Sequence, residues 1–404
     1  MRRLLSFINN TYDKRSVDRM RIAMFSETFL PGTDGVVTCL CGTLKHLGDA
    51  GHDVLLFAPN GAPPTFAAAT IVGIPSFRFA LYPEKKFALP LPRVGRVLKE
   101  FKPDLIHAVN PGFLGFAAIY YARRNRVPLI APYHTHIPTY ARYYRLPWLE
   151  PYLWWCFRSI HNQAEVNLCP SKATMAELES RGFRNLGLWE HGVDLQIFSP
   201  AKRSEQMRAR LLNDKDRNQK LLLYVGRLAK EKGIEKLRAC LVHRPDVHLA
   251  IVGDGPYRAT LETIFADTNT VFTGYLFGED LAHAYASADG FVFTSTIETL
   301  GLVLYEAIAS GLPVMAADSP VTREVLENGQ AGFIYDPANI ESMLKALDKL
   351  LYDEEQRRRV QTRAQEMVLT LDWNGPTKQL LHHYHRLLAM NTAVQPAPSE
   401  DWIP

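Results

Sequence analysis

The chain has 404 residues, of which 47% are hydrophobic and 22% are charged, as is typical of globular proteins. No apolar run reaches the roughly 18 residues that a membrane-spanning helix needs, so the sequence predicts no transmembrane segment. Five cysteines, without a zinc or disulfide spacing, favour free thiols in a reducing compartment.

Charge is divided unevenly along the chain. The formal net charge is +4, with +8 in residues 1–200 and −4 in residues 201–404. A basic first half favours contact with something anionic, such as a membrane surface or a nucleic acid.

Residues 1–19 lack the long apolar stretch of a secretory signal. They are predicted to be an extension that is disordered or, alternatively, a short basic amphipathic arm. Short apolar runs then alternate with helical patterns, and the predicted strands are RIAMF, DVLLFA, TIVGI, DLIHAV, PLIAPY and EVNLC. Because alternating strands and helices indicate a parallel sheet, a doubly wound α/β domain is predicted over residues 20–198.

Two places in this first domain are candidates for binding chemistry. Gly32 and Gly35 follow the first strand and allow backbone N–H groups to face an anion at a helix start, although ordinary turn chemistry is an alternative. His134 follows the strand PLIAPY and is predicted to be a catalytic or positioning residue. No third ligand accompanies a metal pair of His134 and His136, so no metal site is predicted.

An aromatic and basic run, YARYYRLPWLEPYLWWCFR, follows. Amphipathic aromatic rings beside arginines are typical of a membrane interface or a lipid acceptor site. The residues predicted to make such contacts are Arg142, Arg145, Trp148, Trp154 and Trp155. The alternative is a helix that is buried against its neighbours.

The second half repeats the pattern of alternating strands and helices. A polar linker from about residue 199 contains the chain's D-x-D triplet, Asp214-Lys215-Asp216, which is predicted to be a solvated loop. The strands predicted after it are KLLLYVG, VHLAIVG, VFTG, GFVFTS and PVMAA. We predict a second Rossmann-like domain over residues 199–371 and, since ligands bind outside the carboxyl ends of parallel strands, a site in the cleft between the domains.

Two cations follow the first strand of the second domain. Arg227 and Lys232 lie in GRLAKEKG, where they suit a diphosphate, and Arg can bind it in a bidentate way. Tyr275 and Leu276 follow a later strand, and their backbone is a candidate for the edge of a nucleobase. Turn chemistry is the alternative for these two residues.

The segment ETLGLVLYE places Glu298 in a loop and Glu306 about two turns into a helix. Eight residues at about 100° each separate the two directions by some 80°, so the carboxylates need not touch. The N–H groups near Gly301 and Leu302 are predicted to attract a phosphate between them. Hydroxyl groups on both sides of that phosphate would describe a nucleotide sugar.

The chain ends in a helical pattern and a Pro-rich segment. A helix over residues 372–391 is predicted to pack back on the first domain. Residues 392–404 are predicted to be disordered.

These residues together resemble the family-4 retaining glycosyltransferases of the two-domain GT-B type. The resemblance covers roughly residues 20–390, and its most specific element is the E-x7-E motif of Glu298 and Glu306, supported by GRLAKEKG. Within this family it extends to enzymes that transfer sulfoquinovose, through segments such as YHTHIPTYARYY and LWEHGVD.

The resemblance implies a role for each matched position. Gly35 would offer its amide to the diphosphate, and Arg227 and Lys232 would neutralise the leaving UDP. Glu298 would contact the donor sugar and Glu306 the ribose, while His134 would lie beside the anomeric carbon. No metal or other cofactor is implied.

The expected reaction is transfer of sulfoquinovose from UDP-sulfoquinovose to diacylglycerol. The expected place is the cytoplasmic side of an anionic membrane surface, a photosynthetic membrane for the sulfolipid, with peripheral attachment. Alternatives are another UDP-sugar-dependent lipid glycosyltransferase, with glucose or galactose, and a non-catalytic nucleotide-binding protein. Nucleic acid is not expected as a partner, because carboxylates at the site would repel its phosphates.

Overall fold

The computed structural model describes residues 19–32, 34–79, 82–88, 92–144, 146–213 and 219–394. Contacts divide the chain into two compact units. The described residues of the first unit fall within Met1–Tyr133, Ile160–Leu168 and Thr377–Pro404, and those of the second fall within His134–Ser159 and Cys169–Pro376. The domain boundaries given above stay predictions.

The strands of the described residues are β1 (Arg21–Phe25), β2 (Asp53–Pro59), β3 (Thr65–Phe66), β4 (Ala69–Ile74), β5 (Ser76–Phe79), β6 (Tyr82–Ala88), β7 (Leu105–Ala108), β8 (Leu129–Pro132), β9 (Val166–Cys169), β10 (Leu186–Leu188), β11 (Lys220–Val225), β12 (Val247–Val252), β13 (Thr270–Gly274), β14 (Gly290–Phe293), β15 (Val314–Ala317) and β16 (Phe333–Tyr335).

The α-helices of the described residues are α1 (Gly35–Asp49), α2 (Pro92–Phe101), α3 (Phe113–Asn125), α4 (Ile137–Tyr140), α5 (Glu150–His161), α6 (Lys172–Ser180), α7 (Glu205–Leu211), α8 (Leu237–His243), α9 (Arg258–Ile264), α10 (Gly278–Ser287), α11 (Leu302–Ala309), α12 (Pro320–Val325), α13 (Ile340–Leu351), α14 (Glu354–Val368) and α15 (Asn374–Val394).

The first unit is built on a mainly parallel sheet. Its strands lie side by side in the order β9-β8-β7-β1-β2-β4-β3, and β1 pairs in parallel with β2 and β7. Strand β1 is buried from Ile22 to Phe25, as a strand covered on both faces must be, which is why its sequence is a continuous apolar run. Strands β5 and β6 form a separate antiparallel pair.

The second unit is built on a six-stranded sheet in the order β13-β12-β11-β14-β15-β16. All five pairings are parallel. One apolar cluster packs on each face, around Leu223 and Phe291 on one side and Leu222 and Val292 on the other. The direction of winding reverses between β11 and β14, and such a switch point opens a crevice at the strands' carboxyl ends.

The two ends of the chain differ in part from the predictions. Arg19, assigned to a disordered extension, pairs with Asp53 at 2.6 Å; residues 1–18 lie outside the described residues. Helix α15 continues to Val394, so residues 392–394 are helical rather than disordered, and 395–404 lie outside the described residues. Within the described part of the chain, no helix is both long and apolar enough to span a membrane.

Candidate active site

The loop after β11 holds the first predicted cation in a fixed position. The Arg227 guanidinium donates to Glu231 Oε1 at 2.7 Å. The Glu231 side chain is only 1% exposed, whereas that of Arg227 is 22% exposed. The buried carboxylate therefore orients the guanidinium and leaves part of it accessible at the end of the strand.

The second cation meets the first acid of the E-x7-E motif. Lys232 Nζ donates to Glu298 Oε1 at 2.5 Å, and both side chains are less than one-fifth exposed. Burial by itself would lower the pKa of Lys232, but the Glu298 carboxylate, together with Tyr140 and Tyr224, outweighs the effect of burial and raises this pKa. Lys232 is therefore a permanent cation over the physiological pH range.

Hydrogen bonds also fix the two loops that carry this pair. Thr294, just after β14, donates to the Lys232 carbonyl oxygen at 2.6 Å. The carbonyl of Thr299 accepts from the hydroxyls of Ser171 at 2.8 Å and Thr174 at 2.9 Å. The loops after β11 and β14 are thus tied to each other and to the start of α6.

Close backbone approach at the neighbouring strand requires glycine. Gly253 follows β12 with φ +139, and a Cβ there would lie 2.0 Å from the carbonyl oxygen of Gly226. The Gly226 amide donates to the Val252 carbonyl oxygen at 3.0 Å. The ends of β11 and β12 can therefore meet only without a side chain at Gly253.

The second acid of the motif lies deeper. Glu306 is 7% exposed, and its Oε2 accepts from the Tyr285 hydroxyl at 2.8 Å. Burial raises the pKa of Glu306 to about 7, and the hydrogen bond from Tyr285 partly offsets this rise. The two acids of the motif therefore bind different partners, Lys232 in the case of Glu298 and Tyr285 in the case of Glu306.

Helix α11 begins at Leu302, slightly later than the predicted start near Thr299 to Gly301. Gly301 precedes it with φ +76, a left-handed conformation that favours glycine. Helix α12, by contrast, begins with a Ser319 capping box. The start of α11 carries no side-chain cap, which leaves room for a ligand anion at this end of the helix.

His134 was predicted to be a catalytic or positioning residue, and a metal pair of His134 and His136 was the alternative. The two side chains contact different neighbours. The His134 ring lies 5.5 Å from that of His191, and the His134 carbonyl oxygen accepts from Thr299 at 2.9 Å. His136 Nε2 lies 3.7 Å from Glu177, and burial lowers the pKa of His136 although the carboxylate opposes this shift. His134 is thus tied to the residue that follows Glu298.

Two tyrosines complete this neighbourhood, and the sequence analysis did not single them out. Tyr140, at the end of α4, interacts electrostatically with Lys232, Glu298 and Arg227, and burial raises its pKa. The Tyr144 hydroxyl lies 3.4 Å from Glu231 Oε2. The only available signal was their place in the segment YHTHIPTYARYY, within the resemblance, since single tyrosines in an aromatic run do not stand out.

The other predicted positions are placed less centrally. Tyr275 is 43% exposed and donates to the Asp254 carbonyl oxygen at 3.0 Å. The Leu276 side chain is buried in the core, so only its backbone is available for the predicted contact.

Gly35 belongs to the first unit, where it is the first residue of α1 and no atom lies within 4 Å of a Cβ built on it. Asp34 already caps that helix, since its side chain accepts from the Val37 amide.

The aromatic run separates into exposed and buried residues. Trp148 is 73% and Trp155 is 54% exposed, so their rings are available to an acceptor or a membrane. Trp154 is buried, with the Arg181 guanidinium 3.8 Å from its ring centroid. The predicted membrane contact of Trp154 is therefore wrong, because its side chain belongs to the interior. Arg142 pairs with Glu150.

Two predicted features have no described geometry. Arg145, predicted on the acceptor side, and the Asp214-Lys215-Asp216 triplet both lie outside the described residues.

Comparisons with known families cover most of both halves of the chain. Residues 205–367 match the family described as "Glycosyl transferases group 1". Residues 33–197 match "Glycosyltransferase Family 4". The first match contains Arg227, Lys232, Glu298 and Glu306.

Similar characterised proteins use different sugars. The sulfoquinovosyl transferase SQD2 of Arabidopsis thaliana is 37% identical over 83% of this chain and 68% of its own length. A GDP-mannose-dependent alpha-mannosyltransferase of Corynebacterium glutamicum is 35% identical over 93% of this chain and 91% of its own. The alpha-monoglucosyldiacylglycerol synthase of Streptococcus pneumoniae is 28% identical over 78% of this chain and 75% of its own.

A solved structure with the same architecture is the sucrose-phosphate synthase of Thermosynechococcus elongatus. It has a TM-score of 0.78 at 22% identity and covers 92% of this chain and 100% of its own. The predicted fold class of two Rossmann-like α/β domains of GT-B type is thereby confirmed. With the two family matches and relatives above one-third identity, the chain belongs to the group 1 glycosyltransferases and is a glycosyltransferase.

Proposed function

We propose that the protein is a retaining glycosyltransferase that moves sulfoquinovose from UDP-sulfoquinovose to diacylglycerol at a membrane surface. The observation that carries the proposal is the buried pair of Lys232 and Glu298 beside Arg227, at the switch point of the second sheet. SQD2 supports sulfoquinovose as the sugar, and the monoglucosyldiacylglycerol synthase supports diacylglycerol as the acceptor.

Different residues are proposed to bind different parts of the donor. Arg227 and Lys232 bind the diphosphate, because two cations at one strand end neutralise charge that grows as UDP departs. Glu298 holds Lys232, and its remaining lone pairs accept a hydrogen bond from a hydroxyl group of the sugar. Glu306 is proposed to bind the ribose, and the backbone of Tyr275 and Leu276 to bind the base. The diphosphate is proposed to accept hydrogen bonds from the amides of Gly35, Gly301 and Leu302.

The chemistry is a same-face substitution at the anomeric carbon. The bond from this carbon to the phosphate oxygen breaks, and its electron pair leaves with UDP. The acceptor hydroxyl oxygen bonds to the same face, and its proton passes to the departing phosphate oxygen. His134, tied to Thr299, positions the sugar. Arg227 and Lys232 supply the positive charge, so we propose that the reaction needs no metal.

A donor competition assay tests the sugar and the nucleotide. Purified protein is given diacylglycerol with UDP-sulfoquinovose, UDP-glucose, UDP-galactose or GDP-mannose in turn. We expect the highest kcat/KM with UDP-sulfoquinovose and unchanged turnover after a chelator is added. Faster transfer from UDP-glucose or UDP-galactose would contradict sulfoquinovose while leaving a lipid glycosyltransferase, and loss of activity with the chelator would contradict the metal-free reaction.

A second candidate is a GDP-mannose-dependent mannosyltransferase. It is favoured by the relative that is 35% identical over 93% of this chain. The same assay decides between the two, since GDP-mannose as the best donor would replace both the nucleotide and the sugar of the first proposal.

The protein is proposed to attach peripherally to the cytoplasmic side of an anionic membrane, where it would meet its acceptor, diacylglycerol. Exposed Trp148 and Trp155 support contact of this kind, since tryptophan prefers the interface between lipid and water. Arg142 and Arg145 are proposed to add cationic contacts. No partnership with nucleic acid is proposed.

A further inference from the structure

Helix α3 in the first unit is apolar on two opposite sides. Its inner side packs into the core of that unit through Leu114, Ala118 and Ala122. Its outer side carries Phe113, 42% exposed, and Phe116, 52% exposed. An outer helix of an α/β domain is normally polar on its solvent side, so large aromatic rings there need an explanation.

The exposed residues of α3 form one continuous stripe. At about 100° per residue, Phe113, Phe116 and Tyr120 fall within about 60° of one another around the helix axis. Tyr120 is 51% exposed. The ring of Phe77, also exposed, lies 6.1 Å from that of Phe113 and extends the apolar surface beyond the helix. A contiguous exposed aromatic surface is typical of an interaction site.

Cations follow the aromatic rings along the same helix. Arg123 and Arg124 are exposed at its end, and the Arg124 guanidinium lies 5.8 Å from the centroid of the Tyr120 ring. The same rotation of about 100° per residue keeps both arginines on the side of the stripe. We call Phe113, Phe116, Tyr120, Arg123 and Arg124 the α3 outer face.

Helix α2 adds positive charge next to this face. The Tyr121 side chain of α3 hydrogen-bonds the backbone at Gly95 of α2, so the two helices are neighbours. From residue 92 to 126 the cations outnumber the acids by seven to two, and all seven cations are exposed. They are Arg93, Arg96, Lys99, Lys102, Arg123, Arg124 and Arg126.

We propose that the α3 outer face docks on an anionic membrane surface. Aromatic rings that enter the lipid headgroup region, beside arginines that meet lipid phosphates, match the chemistry of this surface. A second copy of the same face is disfavoured as the partner, because the exposed cations of the two copies would repel one another. The inference deepens the proposed function, because it assigns membrane contact to a surface distinct from Trp148 and Trp155.

The experiment measures sedimentation of the full chain with lipid vesicles. One set of vesicles contains equal parts of phosphatidylcholine and phosphatidylglycerol, and the other contains phosphatidylcholine alone. We expect Phe116→Ser/Tyr120→Ser to weaken binding to the anionic vesicles by about tenfold or more. Arg123→Gln/Arg124→Gln should weaken binding to the anionic vesicles and reduce its sensitivity to salt.

One control variant separates this face from non-specific binding by exposed apolar side chains. Leu369→Ser alters a residue that is 84% exposed elsewhere, and it should leave vesicle binding unchanged. Trp148→Ser/Trp155→Ser tests the surface predicted from sequence. Thermal unfolding confirms that every variant is folded, which is expected because the changed side chains are exposed.

Three results would overturn the proposal. Unchanged binding of Phe116→Ser/Tyr120→Ser, or an equal loss in Leu369→Ser, would remove its basis. The same holds if the α3 variant only abolishes self-association in sedimentation velocity and keeps its vesicle binding. If no sugar reaches diacylglycerol but the α3 variant still loses vesicle binding, the proposed function fails and the α3 outer face stands.

Discussion

The charges of Lys232 and Glu298 balance one another before the donor binds. The ammonium and the carboxylate are 2.5 Å apart and largely buried, so neither is free to reorient. A diphosphate that binds beside Lys232 gains a cation whose desolvation is already offset by its partner. Such an arrangement favours the charge that develops on departing UDP, since the protein does not need to reorganise.

The first prediction concerns turnover. Lys232→Ala should lower kcat by more than about tenfold, because the leaving group loses its fixed cation. Lys230→Ala, which changes an exposed lysine two residues earlier, is the matched control and should retain activity. Steady-state kinetics with the preferred donor provide the measurement, and a near-wild-type kcat for Lys232→Ala would refute the leaving-group role.

The second prediction concerns Glu231 as a positioning residue for Arg227. Its carboxylate is 1% exposed and holds the guanidinium at 2.7 Å. Glu231→Gln should lower kcat/KM by about tenfold, since the neutral amide holds the guanidinium less firmly. If Glu231 acts through Arg227, the double variant with Arg227→Ala should be no worse than Arg227→Ala alone. Fully additive losses would show that Glu231 acts in another way.

The third prediction concerns Glu306, whose pKa burial raises to about 7. A carboxyl with a raised pKa binds a proton in the folded state more tightly than in the unfolded state. Its stabilising effect is therefore present below pH 4.5 and is lost as the pH rises through about 7. Glu306→Gln, which cannot ionise, should gain stability relative to wild type over this window, on the order of 3 kcal/mol.

Denaturant unfolding at pH 5 and pH 8 measures this difference. Tyr285→Phe is the partner variant, because it removes the hydrogen bond that partly lowers the pKa of Glu306. It should shift the loss of stability to higher pH. A stability difference between Glu306→Gln and wild type that does not change with pH would contradict the raised pKa.

At the scale of elements, a buried hydrogen bond connects α15 to the first sheet. His107 on β7 and Tyr384 on α15 are both almost fully buried, and the His107 Nδ1 and the Tyr384 hydroxyl are 2.7 Å apart. Leu380 and Leu387 flank Tyr384 on the same buried side. Buried apolar side chains on both sides of Tyr384 and this polar contact therefore help to hold the helix.

The fourth prediction removes that polar contact. Tyr384→Phe should destabilise the protein by about 1–3 kcal/mol, because the buried imidazole loses this hydrogen bond. Tyr120→Phe, on the exposed side of α3, is the control and should stay within about 0.5 kcal/mol of wild type. Denaturant unfolding measures the free energy of unfolding of both variants. An equal loss in the two variants would show that the hydrogen bond between His107 and Tyr384 does not contribute to stability.

The elements also show what sequence reasoning reached and where it stopped. Strands such as β1 and β12 are predictable because burial on both faces requires a continuous apolar run. The outer face of α3 was missed, since a helix that is apolar all round normally reads as buried. Trp154 was misassigned for a related reason, because three tryptophans close in sequence gave no sign of which one points inward.

In the candidate active site, too, only some features were predictable from the sequence. The spacing of Glu298 and Glu306 and the position of Lys232 were visible in the sequence, because Lys232 and Glu298 follow strands and Glu306 lies on the next helix. The contacts of Tyr140 with this group depend on how distant segments pack, which no local pattern encodes. Glu231 lies only four residues after Arg227, but one glutamate in a charged loop gives no sign that it is buried. Glu306 was expected to be a plain ribose ligand, and its burial against Tyr285 came only from the structure.

At the scale of the whole molecule, buried titratable groups act on stability in opposite directions. Burial lowers the pKa of His107 to about 3 and those of His161 and His191 to about 4. A histidine with a lowered pKa stabilises the fold above its unfolded value of about 6.5, and this stability is lost as the pH falls. Glu306 has the reverse effect.

The fifth prediction is the sign of their sum between pH 4.5 and pH 6.5. Each group changes stability by at most about 1.4 kcal/mol per pH unit, so three histidines outweigh one Glu306. The thermal midpoint should therefore rise from pH 4.5 to pH 6.5, and it should rise more steeply in Glu306→Gln. Calorimetry at several pH values provides the test; a flat or falling midpoint in wild type would contradict the predicted sign.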